Sequence, residues 1–160
     1  MADIDYWIAG FVDGEGCFSL AINSHSGMSL GFQIQAEFAV TQSESSIDAL
    51  NVILYRLQCG YIQLNKRNDN HHEFLLIYRV RKINDLVNRV IPFFETYSLQ
   101  TAKKHQFHLF REAVYLMRDK RHLSLEGFDL IRNLSFQMNQ RAKSINAMKS
   151  SETIRQASHM

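Results

Sequence analysis

Asp13-Gly14-Glu15-Gly16 sets one carboxylate between two glycines and a second just ahead of them. Carboxylate oxygens suit hard divalent cations, and magnesium takes them while keeping several waters. Gly14 and Gly16 admit backbone angles that other residues avoid, so Glu15 can be held at a sharp bend. Alone, the tetrapeptide reads as a helix C-cap and a polar turn. A calcium loop of the helix-loop-helix kind is excluded, because the Asp-x-Asp-x-Asp-Gly order is missing. Leu99-Gln100-Thr101-Ala102-Lys103-Lys104 offers cations near a helix start. His105 and His108 are three apart on a helix, which permits shared ligation, but no paired Cys or carboxylate pattern supports zinc. His71 and His72 sit near a hairpin tip, within reach of a phosphate. Cys17 and Cys59 lack ligand spacing and read as free thiols in a reducing compartment. There is no Gly-x-Ser-x-Gly, no phosphate loop and no Gly-x-Gly-x-x-Gly.

The element that must position Glu15 is the helix before it. Ile4, Trp7, Ile8, Phe11 and Val12 recur at i, i+3, i+4, i+7 and i+8, the pattern of a core-facing stripe. Tyr6, Ala9, Gly10 and Asp13 form a second stripe that is almost bare in its middle. Glycine inside a helix costs about 1 kcal/mol relative to alanine, and close approach of another helix is the usual reason for it. This stripe is therefore the expected contact with a partner.

Beyond the helix the period changes to two. Phe18, Leu20 and Ile22 alternate with Cys17, Ser19 and Ala21, and Asn23 to Gly27 makes a turn. Leu30, Phe32, Ile34, Ala36, Phe38 and Val40 share one face of a long strand, opposite Gly31, Gln33, Gln35, Glu37, Ala39 and Thr41. Ser43 or Ser45 can cap a helix from about Ser46 to Leu57, ended by Gly60. Tyr61 to Arg67 and Phe74 to Arg81 form a hairpin across Asn68-Asp69-Asn70. Helices are expected over about Ile83–Glu95, Leu99–Arg118 and Ser124–Asn139. Pro92, the only proline, predicts a kink or early end in the first of these. Ser124 is followed three residues later by Gly127, not by the Glu of a capping box. The order is αββαββα plus C-terminal helices, an α+β fold. Residues 1–140 read as one domain and 141–160 as a flexible tail rich in Ser, Lys and Gln.

The 46% apolar content can fill a core. No run of about 18 apolar residues indicates a membrane span. Asp3 and Asp5 make the start unlike a secretory signal or a basic transit peptide. Charge is unevenly spread. Residues 1–59 carry seven acids and one base, Arg56, whereas residues 60–122 carry twelve bases and six acids. The middle of the chain is the candidate for contact with a polyanion.

Residues 7–16, Trp-Ile-Ala-Gly-Phe-Val-Asp-Gly-Glu-Gly, resemble the signature helix of the LAGLIDADG homing endonucleases. The resemblance is dense there and mostly topological over the rest of residues 3–140. It implies a four-stranded antiparallel, saddle-shaped sheet with helices on one face and the concave face on double-stranded DNA. It also implies two signature helices packed through their small residues, each ending in an acidic metal ligand. Glu15 holds that position, with the Gly14 carbonyl as a further ligand, and Asp13 is left to packing or capping. Magnesium is the implied ion, with manganese or calcium as substitutes in binding. Gln42, at the end of the long strand, matches the family's water-positioning residue. Lys103 is preferred for its basic residue, with Lys104 and Thr101 as alternatives. Where some members carry an Arg a turn into the next helix, this chain has Ser46.

Base reading then falls to the outward strand residues Ser19, Ala21, Asn23, Gln33, Gln35, Glu37, Tyr61, Gln63, Asn65, Arg67, Ile77, Arg79 and Arg81. Arginine pairs with guanine, Gln or Asn with adenine, and Glu37 can accept from cytosine. One carboxylate per chain, against two strands to cut, implies a homodimer on a long pseudo-palindromic site. No membrane partner is expected. The same resemblance implies an intron-encoded protein located in an organelle, chloroplast or mitochondrion, or in a microbial cytoplasm. The alternative is a non-cleaving nucleic-acid-binding protein on the same scaffold, an intron-splicing maturase or a transcription factor. A protein-interaction domain using the sheet face is the third class, and salt-dependent DNA binding separates it from the others.

Overall fold

The computed structural model describes residues 2–65 and 74–140. Arg67, the Asn68–Asn70 turn, His71, His72 and the 141–160 tail lie outside the described residues. Helix α1 (Ala2–Glu15) runs directly into strand β1 (Gly16–Ser24), which pairs with β2 (Phe32–Ser43). A 3-10 turn (Glu44–Ser46) leads into α2 (Ile47–Leu57). Strands β3 (Tyr61–Asn65) and β4 (Leu75–Val80) follow, and all pairs are antiparallel in the order β1-β2-β4-β3. This is the expected α+β architecture, with helices on one face of a four-stranded sheet.

The inward side chains of the strands build the core. Phe18, Leu20, Ala36, Phe38, Val40, Tyr78 and Val80 are buried under helical residues that include Ile8, Val12, Leu50, Ile53, Phe94 and Phe110. Phe18 is the hub: its ring lies 5.0 Å from Phe38, 5.2 Å from Phe110, 5.3 Å from Phe107 and 5.6 Å from Phe94. Such aromatic pairs stabilise by about 0.5–1.5 kcal/mol each beyond the area they bury.

After β4 the chain forms a short helical turn, α3 (Ile83–Asp85), then a π turn over Leu86–Val90, then α4 (Ile91–Thr96). Pro92 does not end the helical run but lies in the first turn of α4. It lacks an N–H for the carbonyl four residues back, and the wider turn just before it absorbs that mismatch. Helix α5 (Lys103–Arg118) starts later than the apolar pattern suggests, and α6 spans 125–140 after a 3-10 turn (Arg121–Leu123). Ser124 does cap α6, accepting the Gly127 N–H at 3.1 Å. Glycine replaces the usual Glu for a steric reason: a Cβ on Gly127 would lie 2.0 Å from the Arg121 carbonyl oxygen.

Helix α1 corrects one expectation. Its core side is Asp5, Ile8, Ala9 and Val12, while Ile4 and Trp7 stay exposed at 39% and 42%. Ile8 and Val12 belong to both possible stripes. One contact selects the rotation seen: Asp5 takes a two-pronged ion pair from Arg56 of α2, at 2.5 and 3.0 Å. Trp7 stacks on Phe11 along the same helix at 5.0 Å. The Arg56 hydrogen bond, foremost, holds the Asp5 carboxyl below its ordinary value despite burial. The stability from this pair is thus fully present above the unfolded value of about 3.8 and is lost as pH falls through the lowered folded value. Arg56→Ala should cost on the order of 2 kcal/mol at neutral pH, between the values for exposed and fully buried pairs. Urea denaturation reads this directly. An unchanged midpoint at neutral pH would remove the pair from the list of stabilising contacts.

Candidate active site and nucleic-acid face

The end of α1 is built by steric and hydrogen-bonding constraints that converge within five residues. Gly16 must be glycine, because a Cβ there would lie 2.6 Å from Val12 Cγ1 and 2.8 Å from the Val12 carbonyl oxygen. The chain therefore leaves the helix tightly and enters β1. Asp13 turns away from any partner, toward its own chain. Its Oδ2 accepts the Gln100 N–H at 2.6 Å, and its Oδ1 accepts the Thr101 N–H at 3.2 Å and the Thr101 hydroxyl at 2.7 Å. Burial acts to raise the Asp13 pKa, but these hydrogen bonds outweigh it and leave the carboxyl below its ordinary value. This clasp explains the late start of α5: residues 99–102 form the turn that Asp13 holds.

The clasp delivers Lys103. Its Nζ donates to the Val12 carbonyl at 3.0 Å, one of the carbonyls left over at the helix end. Burial pushes the ammonium below the usual lysine range, against the pull of Cys17, Asp13 and Glu15. Of the three alternatives for the basic position, the geometry brings Lys103 to the end of α1. Thr101 is spent on Asp13, and Lys104 is exposed. Glu15 itself is exposed as the last residue of α1. Gln42 is half-buried at the end of β2, opposite Leu76 and two residues past Val40, which pairs with Gly16. That register puts Gln42 and Glu15 at the same end of the β1–β2 ladder. Ser46 closes the 3-10 turn ahead of α2.

The expected partner stripe divides. Tyr6 and Gly10 are exposed, but Ala9 is buried in its own core at 5% and Asp13 is engaged with α5. Both residues leave the free face. Trp7 and Gly14 join it instead. A Cβ added at Gly10 or at Gly14 would meet nothing within 4 Å of its own chain. The four-residue spacing of these glycines was the available signal for Gly14. The nearer resemblance of Ala9 and Asp13 to a small-residue stripe obscured it.

The outward sheet face carries Ser19, Ala21 and Asn23 from β1, then Gln33, Gln35 and Glu37 from β2. Tyr61, Gln63 and Asn65 come from β3, and Arg79 from β4, with Arg81 just past its end. All of these are exposed or half-buried. Ile77 is the exception. It shares the face but is buried to 7% in the middle of it, flanked across the ladders by Thr41 and Gln63. Its burial leaves little of the side chain open on that face. Glu37 is engaged within the sheet through one oxygen: Arg81 Nε donates to its Oε2, and Arg79 lies beside the same atom.

Comparison with known proteins agrees with this fold. The family model described as LAGLIDADG endonuclease matches residues 8–114. A probable intron-encoded endonuclease of Neurospora crassa is 31% identical over 138 residues, covering 85% of this chain and 25% of that protein. The chain spans about a quarter of the length of the curated relatives it matches first. Among solved structures, the homing endonuclease I-TnaI superposes with a TM-score of 0.76 at 32% identity, over 84% of this chain and 87% of that one. The structure of I-SmaMI bound to uncleaved DNA target in the presence of calcium ions gives a TM-score of 0.78 at 30% identity, over 84% and 44%.

Proposed function

Because the chain belongs to the LAGLIDADG endonuclease family, we propose that it is a site-specific DNA endonuclease. It cleaves phosphodiester bonds with a divalent metal ion, as a homodimer on a long pseudo-palindromic site. One observation carries this reading. Glu15 stands exposed at the end of a helix whose free face holds Gly10 and Gly14, both open in their own chain. Two glycines on an exposed helix face lower helix stability without any return inside the monomer. A second helix against them supplies the return and brings a second Glu15 alongside the first.

The donor set fits half of a metal site. Among the described residues no three His, Cys, Asp or Glu side chains gather to hold an ion. Glu15 and the Gly14 carbonyl offer oxygens at the electronegative end of a helix, which suits a hard cation that completes its shell with water and phosphate. Glu15 and Gly14 would hold it, and when bound it supplies charge neutralisation on the phosphate. Gln42 offers an amide that can orient water. Lys103 offers a partly desolvated ammonium, and a cation in such surroundings stabilises charge developing on a leaving oxygen more strongly than one in water. The outward strand residues read the duplex. Like the relatives named as intron-encoded, the chain is assigned to an intron, in an organelle or a microbial genome.

Selection of cut sequences from a random duplex library, with magnesium present, tests the whole reading. Recovery of one enriched, pseudo-palindromic site is the expected result. Sequence-specific binding without any cut would make the chain a non-cleaving nucleic-acid-binding protein. On the selected site, Lys103→Ala should slow single-turnover cleavage by about a hundredfold while changing affinity by less than about tenfold. If Lys104→Ala is slow and Lys103→Ala is not, the catalytic cation is Lys104.

A further inference from the structure

We propose that Glu37 is a positioning residue for sequence recognition: it holds Arg79 and Arg81 in place on the outward sheet face, and the two arginines do the reading. The inference rests on the assignment of that face to duplex DNA and names what orders it. Phe38 faces Val80 and Ala39 faces Arg79 across the β2–β4 ladder. Glu37 therefore lies beside Arg81 and diagonal to Arg79, within reach of both long side chains. Arg81 Nε donates to Glu37 Oε2, and Arg79 Nη1 lies 3.6 Å from the same oxygen. The Glu37 side chain is 16% exposed, against 20% for Arg79 and 38% for Arg81. Arg81 is thus the most open of the three side chains.

A carboxylate on a surface that meets a polyanion is repelled by it. Between two arginines it has a use. A free arginine has many rotamers, and ordering it at the moment of binding opposes affinity and blurs geometry. A shared carboxylate orders both side chains beforehand. Arg81 spends only Nε on the contact and keeps its Nη groups, out of five N–H donors in a planar fork. Arg79 Nε is buried with no acceptor, and the ion pair to Glu37 is the charged contact seen on its head group among the described residues. The trio keeps a net positive charge. Its donors suit the O6 and N7 acceptors of guanine in the major groove.

The test uses the full chain and duplexes recovered by the wild-type protein from a random library, with every single-base variant of the best site. Binding is measured by fluorescence anisotropy with a chelator present, so that no strand is cut. Glu37→Gln should lose about tenfold in discrimination at the base pairs that Arg79→Ala and Arg81→Ala also relax. Its affinity for unrelated DNA should rise a few-fold, because a negative charge is gone. Glu37→Asp keeps the charge but withdraws the carboxylate. It should lose discrimination at the same base pairs without the gain on unrelated DNA. Adding Glu37→Gln to Arg79→Ala should produce no further loss at the Arg79 base pair, as expected for a residue that acts only through the other. Loss at a base pair untouched by either arginine variant would overturn the proposal and make Glu37 a reader in its own right. Unchanged discrimination in both glutamate variants, with a specific wild-type protein, would overturn it while leaving the recognition face intact. A wild-type chain without sequence preference would defeat both.

Discussion

Glu15→Gln is expected to reduce single-turnover cleavage of the selected site by more than about a thousandfold, with affinity for that site kept within about tenfold. The amide preserves the size of the side chain and removes the charge that would hold a divalent cation. Glu15 is exposed at the helix end, so the substitution disturbs no core packing. Its effect belongs to chemistry and not to folding. Thermal unfolding of the variant should match the wild type. Retained cleavage with magnesium would remove Glu15 from the metal site. Asp13, the other carboxylate nearby, is a poor replacement because both of its oxygens are occupied by Gln100 and Thr101.

Gly10→Leu should have effects of opposite sign on the monomer and on the assembly. Within the chain a new Cβ at this position meets nothing within 4 Å. Replacing a mid-helix glycine by leucine should then favour α1 by up to about 1 kcal/mol. In a helix pair packed through Gly10 and Gly14 the same side chain prevents close approach, and overpacking of a tight contact costs about 1–3 kcal/mol or more. The variant should therefore unfold no more easily than wild type, yet sediment as a monomer and cut DNA at a background rate. A wild-type monomer, with and without DNA, would defeat the homodimer. A Gly10→Leu protein that still dimerises and cuts would move the contact away from this face.

Much of the site was legible because its residues sit in short local patterns. Alternation at period two placed Gln33, Gln35 and Glu37 on one face and Phe38 on the other. The register Phe18↔Phe38 and Phe38↔Val80 agrees with that division. The same alternation placed Ile77 correctly on the outward face but could not show that it would be buried there. Burial depends on which neighbours lean over a residue, and those come from strands far away in sequence. Glu37 raised the same difficulty. Its pairing with Arg79 and Arg81 joins residues more than forty positions apart, set by the β2–β4 pairing and by nothing local.

Helix α1 shows the division most clearly. Its identity, its end at Glu15 and the need for glycine at 16 follow from residue types within one turn: small residues, a carboxylate, and a bend too tight for a Cβ. Which side faces the core does not follow. Ile8 and Val12 fit a stripe with Ile4, Trp7 and Phe11 and equally a stripe with Asp5 and Ala9, since residues three and four apart share a helix face either way. The Asp5–Arg56 pair, which ties α1 to α2, chose between them. Lys103 and Lys104 are adjacent on α5 and equal as chemistry. Neighbouring positions on a helix point about 100° apart, so only the docking of α5 on Asp13 decided which ammonium reaches the end of α1. The sequence by itself determined the order of elements and the placement of Glu15 between glycines. The tertiary structure decided which faces are free and which lysine reaches the end of α1, because both depend on helix rotation against a sheet assembled from distant segments.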